Sequence, residues 1–295
     1  MRFGTRTARL LACVLLMLGA GCPADKSPTG DAAKGTLDAV RQSGVVRVGY
    51  ANEAPFAYMD QATGRLTGEA PEIAREVARR LGTNRVEGVL TEFGALIPGL
   101  KAGRFDVIAA GMYITPKRCR EIAFSNPTYR IADAFMVRRG NPLDLHAYAD
   151  AANNPAARLG VVVGTVERGY AHAAGVPDDR LLVLPDPPSA VAALRAGRID
   201  AYGGTVLTID SLIAKLDGDG VERADPFRNP VVDGKPAVGY GAFGFRKGDD
   251  ALATAFNREL GDFIGSPEHR ALVHPFGFSE AMLPGDATAE RLCAG

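Results

Sequence analysis

The sequence predicts an α/β protein of two lobes, each a mixed, mostly parallel sheet covered by helices, joined by a two-strand hinge. The run Gly99-Leu100-Lys101-Ala102-Gly103-Arg104-Phe105-Asp106-Val107 is matched 94 residues later by Ala193-Leu194-Arg195-Ala196-Gly197-Arg198-Ile199-Asp200-Ala201. In both copies an amphipathic helix ends at a glycine, turns tightly and feeds a strand. Each of those strands ends on glycine, at Ala109-Ala110-Gly111 and at Tyr202-Gly203-Gly204.

The elements follow in order. Residues 37–44 form a short helix stopped by Gly44, and Val45-Val46-Arg47-Val48-Gly49-Tyr50 is a strand. Pro71 at a helix start, with Ile73, Val77 and Leu81 at intervals of four, gives the next helix one apolar stripe. Phe93, Leu96, Ile97 and Leu100 mark the helix of the first repeat. The second lobe begins near Gly140-Asn141-Pro142 and contains the strand 159–163, the turn Gly164-Thr165, a helix through Ala174, the strand 181–184 and a helix around Ile209, Leu212, Ile213 and Leu216. An irregular stretch, 225–236, precedes the strand 239–245, and Leu252, Ala255, Phe256, Leu260, Phe263 and Ile264 stripe the helix after it. Expected boundaries are 37–137 with 241–295 for lobe one and 138–240 for lobe two, with crossings near Met136–Arg139 and Val238–Ala242. Two crossings make a hinge, and the cleft lies where the strand ends face each other.

The N-terminus carries Arg2, Arg6 and Arg9, then an apolar stretch from Leu10 to Gly21, then Cys22. That is the order of an export signal and is too short to span a membrane. Residues 1–21 are read as a signal peptide and 22–36, rich in small and polar residues, as a flexible tether. Leu18-Gly19-Ala20-Gly21-Cys22 resembles a lipoprotein cleavage box, in which Cys22 takes the lipid; Gly19 departs from its usual larger aliphatic residue, and a plain secretory signal is the other reading. Either places the protein outside the cytoplasm, in the periplasm or on the outer face of a bacterial membrane. If Cys22 carries lipid, Cys119 and Cys293 form a natural pair in an oxidising space; two free thiols are the alternative. A bridge would bring the C-terminal segment back onto lobe one.

Lys plus Arg number 34 and Asp plus Glu 34, which leaves no basic excess for a nucleic acid. The four histidines are scattered, with no HExxH, no GxSxG elbow and no phosphate loop. No catalytic residue, metal site or cofactor is predicted, and a binding module is the better class. The residues that bear chemistry sit beyond strand ends: Glu53 and Phe56 after the first strand, Phe93 at the helix before the repeated turn, Tyr113 and Arg118 after the next strand, and Thr165 after the first strand of lobe two. Singly each has a plainer role, Phe93 in a core, Glu53 as a solvated acid, Thr165 as a helix cap, Arg118 in a surface ion pair. Together they suit a small zwitterion. The Arg118 fork holds a planar carboxylate, helped from the other lobe by N–H groups at Gly164-Thr165. Phe56, Phe93 and Tyr113 enclose a cation at roughly 1 kcal/mol per ring, and Glu53 supplies the opposite charge.

Tyr113-Ile114-Thr115-Pro116-Lys117-Arg118, Phe124-Ser125-Asn126-Pro127-Thr128-Tyr129, Gly164-Thr165 and the second repeat resemble the solute-binding proteins that serve polar amino acid ABC importers. The likeness runs from about Leu37 to Cys293. It implies a type II periplasmic-binding-protein fold and a monomer of two lobes that captures a solute and hands it to permease subunits, with the carboxylate on Arg118 and help from Thr165. Asn52-Glu53-Ala54-Pro55-Phe56, Glu92-Phe93-Gly94-Ala95-Leu96, Lys117-Arg118-Cys119 and Arg291-Leu292-Cys293 are most similar to the ectoine and hydroxyectoine branch. There Glu53 and Phe56 correspond to ligand-touching residues and Phe93 and Tyr113 to two further aromatics. Relatives more often carry Tyr at the first of these two and Phe at the second, so the cage is kept with its hydroxyl moved. Many amino acid binders carry an Asp five residues beyond Asp200 for the ligand α-ammonium; Thr205 stands there. Proline betaine or a polar amino acid is the alternative ligand, and a dehydratase of cyclic carboxylic acids is the enzyme alternative.

Overall fold

In the computed structural model, residues 35–83, 85–232 and 234–294 are described; the signal, most of the tether and Cys22 lie outside them. Two sheets organise the fold. The first runs Arg85–Leu90, Val45–Tyr50, Val107–Tyr113, Gly239–Phe245, Ala123–Phe124, with Tyr129–Ile131 also paired to Gly239–Phe245. Its first three strands are parallel, and Gly239–Phe245 is antiparallel to its neighbours. The second runs Leu181–Leu184, Leu159–Val162, Ala201–Thr205, Asp133–Arg138, Val221–Arg223, again with a parallel trio followed by antiparallel strands. The two sheets are thus the same unit built twice, and in each the antiparallel strand beside the trio is the one that arrives from the other lobe.

This corrects one boundary. Asp133–Arg138 hydrogen-bonds along its length to Ala201–Thr205, so residues 133–137 belong to the second sheet and the first crossing precedes Asp133. The return strand is Gly239–Phe245, as expected, so the expected lobe boundary at 241 falls inside it.

The repeated sequence has a structural cause. Asp106, which precedes the strand Val107–Tyr113, accepts hydrogen bonds from the Arg47 backbone N–H (3.0 Å) and from Arg47 Nη2 (2.7 Å). Asp200 repeats this for the second sheet, accepting from the Arg158 backbone N–H at 3.0 Å and from Arg158 Nε at 3.4 Å. Each repeat therefore pins the start of its lobe's central strand through one buried carboxylate. The apolar stripe Ile73, Val77 of the helix Glu69–Arg80 is fully buried against the first sheet, beside Phe243, Phe256 and Phe263 of the returning segment. Covering both faces of a parallel sheet in this way keeps its strands as near-continuous apolar runs, as in Val107–Tyr113.

The C-terminal segment does return to lobe one. Cys119 and Cys293 are joined by a disulfide, with Cα atoms 5.7 Å apart, and Leu292 packs on the cluster of Leu96, Phe105 and Ile108.

Candidate functional site

The parallel strands of both sheets end at one cleft, and the residues just past those ends line it. Glu53, Phe56, Phe93, Tyr113, Arg118 and Thr165 all face a single chamber, together with Gly111, Glu167 and Thr205. The six residues singled out in the sequence are therefore brought together. The chamber measures about 30 Å³, room for a water or two, so a larger solute enters only when the lobes part.

Arg118 is placed by local geometry. Thr115 caps the short helix Pro116–Cys119 by accepting the Arg118 backbone N–H at 3.2 Å. The guanidinium then donates from Nη1 to the Tyr113 carbonyl and from Nη2 to the Gly164 carbonyl of the other lobe, both at 2.8 Å. Two of its donors are held by the main chain and the fork is oriented before any ligand arrives. The guanidinium also lies over the Phe93 ring, 5.5 Å from its centroid, so that ring supports the arginine. The helix of lobe two starts at Glu167, later than the expected Gly164-Thr165. Gly164 therefore offers its carbonyl to Arg118, and the Thr165 hydroxyl donates to the Val162 carbonyl at 2.9 Å.

Glu53 is held from across the cleft. The Thr208 hydroxyl donates to Glu53 Oε1 at 2.6 Å, and Thr208 in turn sits in the first turn of the helix Val206–Lys215, capped by Thr205. Burial pushes the Glu53 carboxyl up to about 7, against the Thr208 hydrogen bond. Glu167, 4% exposed, has an Oε2 atom without a hydrogen-bond partner among the described residues. Burial raises its carboxyl too, opposed by the Thr165 hydroxyl, helix N–H groups and Arg118. Tyr113 is likewise buried with its Oη unpartnered among the described residues.

Close backbone approach shapes the floor. A Cβ at Gly111, where φ is +65°, would lie 2.6 Å from the Phe56 ring. Across the cleft, a Cβ at Gly164 would lie 2.5 Å from Gly94 Cα, so the lobes meet glycine against glycine.

Glu167 and Thr208 are the site residues that sequence reading missed. An acid in the first turn of a helix reads as a partner for the helix dipole, and a Thr in a first turn reads as part of a cap; only the fold aims both into the cleft. The chamber lining thus carries two carboxyls against one guanidinium. Unneutralised buried carboxylates are costly, so the site is built for a solute that brings a cation as well as an anion. Among the described residues no group of three His, Cys, Asp or Glu side chains could hold a metal.

Residues 46–278 match the bacterial extracellular solute-binding proteins, family 3. The chain belongs to this family. A probable amino-acid ABC transporter periplasmic-binding protein of Sinorhizobium fredii is 36% identical over 264 residues, 88% of this chain and 86% of that protein. The lysine/arginine/ornithine-binding periplasmic protein of Escherichia coli is 30% identical, covering 71% of this chain and 78% of its own. Among solved structures, EhuB in complex with hydroxyectoine superimposes with a TM-score of 0.79 at 42% identity, over 88% of this chain and 98% of that one. This solute-binding protein accordingly works outside the cytoplasm, binding a small solute and delivering it to an ABC permease, and is not an enzyme.

Proposed function

We propose that this solute-binding protein captures ectoine or hydroxyectoine, closing its lobes around the zwitterion for import. The observation that carries the reading is the makeup of one chamber: an oriented guanidinium, three rings and two buried carboxyls short of positive charge. Arg118 takes the ligand carboxylate, with Thr165 beside it. Phe56, Phe93 and Tyr113 enclose the delocalised cation of the cyclic amidine, and Glu53 accepts its N–H groups. Thr205 offers no carboxylate and is used as a helix cap, which disfavours a free α-ammonium at that position. The 42% identity to EhuB supports the same ligand class. The unpartnered Tyr113 hydroxyl and Glu167 Oε2 favour the hydroxylated form, since each gains a partner from an added hydroxyl.

A second reading, a cationic or polar amino acid, is favoured by Glu167, which gives an α-ammonium the carboxylate that Thr205 lacks. Calorimetric titration against ectoine, hydroxyectoine, arginine, glutamine and proline betaine separates the readings: saturation by the ectoines alone supports the first, saturation by arginine or glutamine alone the second. The proposal includes a lipid on Cys22, a monomeric state and the two lobes as hinged bodies; mass spectrometry of the mature protein and its solution mass check the first two.

A further inference from the structure

Lobe one holds a second cavity, of about 210 Å³, which the cleft chemistry does not use. Its walls are mostly apolar, with Val273, Phe278 and Leu283 among them. Tyr129 and Phe278, which line it, pack on the Phe56 ring of the cleft at centroid distances of 5.4 and 5.8 Å, so aromatic rings separate the two spaces.

Two polar groups are set into these walls. Glu69 is 1% exposed and its Oε1 accepts from the Thr128 hydroxyl at 2.6 Å. His269 is 2% exposed, and its Nδ1 accepts the Gly265 N–H at 3.2 Å. That bond fixes the ring proton on Nε2, which has no acceptor among the described residues. Burial holds the imidazole down at about 4, so the ring is neutral, and pushes the Glu69 carboxyl up to about 7. A purely structural histidine would have its second nitrogen matched, because an unmatched buried donor is costly. Arg270 also lines the cavity, and its guanidinium is paired with Glu280 at 3.2 Å.

We propose that this cavity is a second binding site, for a small uncharged molecule with an apolar body and one amide or hydroxyl group that accepts from His269 Nε2–H and donates to the Glu69 carboxyl. An anion would meet Glu69, while the Arg270 guanidinium in the lining is already paired with Glu280. An alkylammonium would satisfy Glu69 and leave the His269 donor facing a positive charge. A cavity of this size suits roughly six to eight heavy atoms, since an apolar cavity of roughly 150 Å³ takes a benzene-sized guest.

The test uses the mature protein and three probes with one body: butyramide, butylammonium and butyrate. Saturation-transfer NMR at pH 7 is expected to show saturable butyramide binding at least tenfold stronger than that of either charged probe. His269→Phe, which removes the donor, and Leu283→Trp, which obstructs the rim and keeps both polar groups, should each weaken butyramide at least tenfold, with thermal melts confirming that both variants fold. Butyramide binding that is absent in the wild type, unchanged from wild type in a folded variant, or matched by a charged probe overturns the proposal. If one variant does not fold, the other decides.

Discussion

Replacing Glu53 with glutamine tests how the cleft recognises a cation. Burial raises this carboxyl from 4.5 to about 7, so ionising it in the closed, unliganded cleft costs about 3 kcal/mol at 1.36 kcal/mol per pKa unit. A bound amidinium offsets that cost and donates to the carboxylate. The glutamine amide would keep an oxygen for Thr208 but lose the charge, and a hydrogen bond to a charged group is worth ~1.5–3 kcal/mol. Ectoine affinity should therefore fall roughly 10- to 150-fold. Proline betaine, which has no N–H to give, should lose less than about tenfold. The sign of the pH effect follows from the same shift. A bound cation favours ionised Glu53, so the complex holds fewer protons than the free protein, and affinity rises with pH until about 7 and then levels. Titration calorimetry from pH 5.5 to 8 should show wild-type ectoine binding weakening about tenfold or more toward acid, and a shallower slope in the variant, which lacks the Glu53 carboxyl. Equal slopes in both proteins, or an unchanged ectoine affinity in Glu53→Gln, would rule out Glu53 as the partner of the ligand's cation.

Gly164→Ala places a Cβ 2.5 Å from Gly94 Cα at a φ of +80°, which costs ~1–2 kcal/mol in backbone conformation alone and keeps the lobes apart; small-angle scattering should show no ligand-induced contraction. Gly94→Ala, whose Cβ would lie 3.4 Å from Val163, should still close. Tyr113→Phe should leave ectoine affinity nearly unchanged and weaken hydroxyectoine about three- to tenfold, the value of one hydrogen bond at ~0.5–1.5 kcal/mol, in parallel titrations. Glu69 retains its proton in the folded protein to about pH 7, whereas the unfolded chain releases it near 4.5. Stability is thus lost as pH rises through that window, by up to about 3 kcal/mol, and thermal melts of Glu69→Gln should gain roughly 5–10 °C on the wild type between pH 5 and pH 8.

Much of this architecture is legible in the sequence because it is encoded locally. The repeat around Asp106 and Asp200 is visible as a spacing, and its cause is a short-range one: each carboxylate braces the neighbouring parallel strand. Ile73 and Val77 announce their helix by period alone. The six cleft residues can be named since each lies directly beyond a strand or helix start, where an α/β sheet puts its ligand. What is not legible depends on partners far apart in the chain. Nothing in the stretch 129–138 tells which sheet receives its second half; pairing with residues 201–205 decides that. Glu167 and Thr208 look like ordinary first-turn helix residues, and become cleft residues only because lobe two presents those helix starts to Arg118 and Glu53. The Gly94–Gly164 contact likewise exists only between lobes.

We propose that one cleft binds a compact zwitterion with a delocalised cation, using Arg118 and Glu53 from lobe one and closing through Thr208 and Gly164 of lobe two. Direct calorimetric titration of the mature protein with ectoine, hydroxyectoine, arginine, glutamine and proline betaine tests it. The expected result is one-to-one saturation by the ectoines, tightest for hydroxyectoine, and no comparable heat from arginine or glutamine. Saturation by an amino acid with none by the ectoines would contradict it.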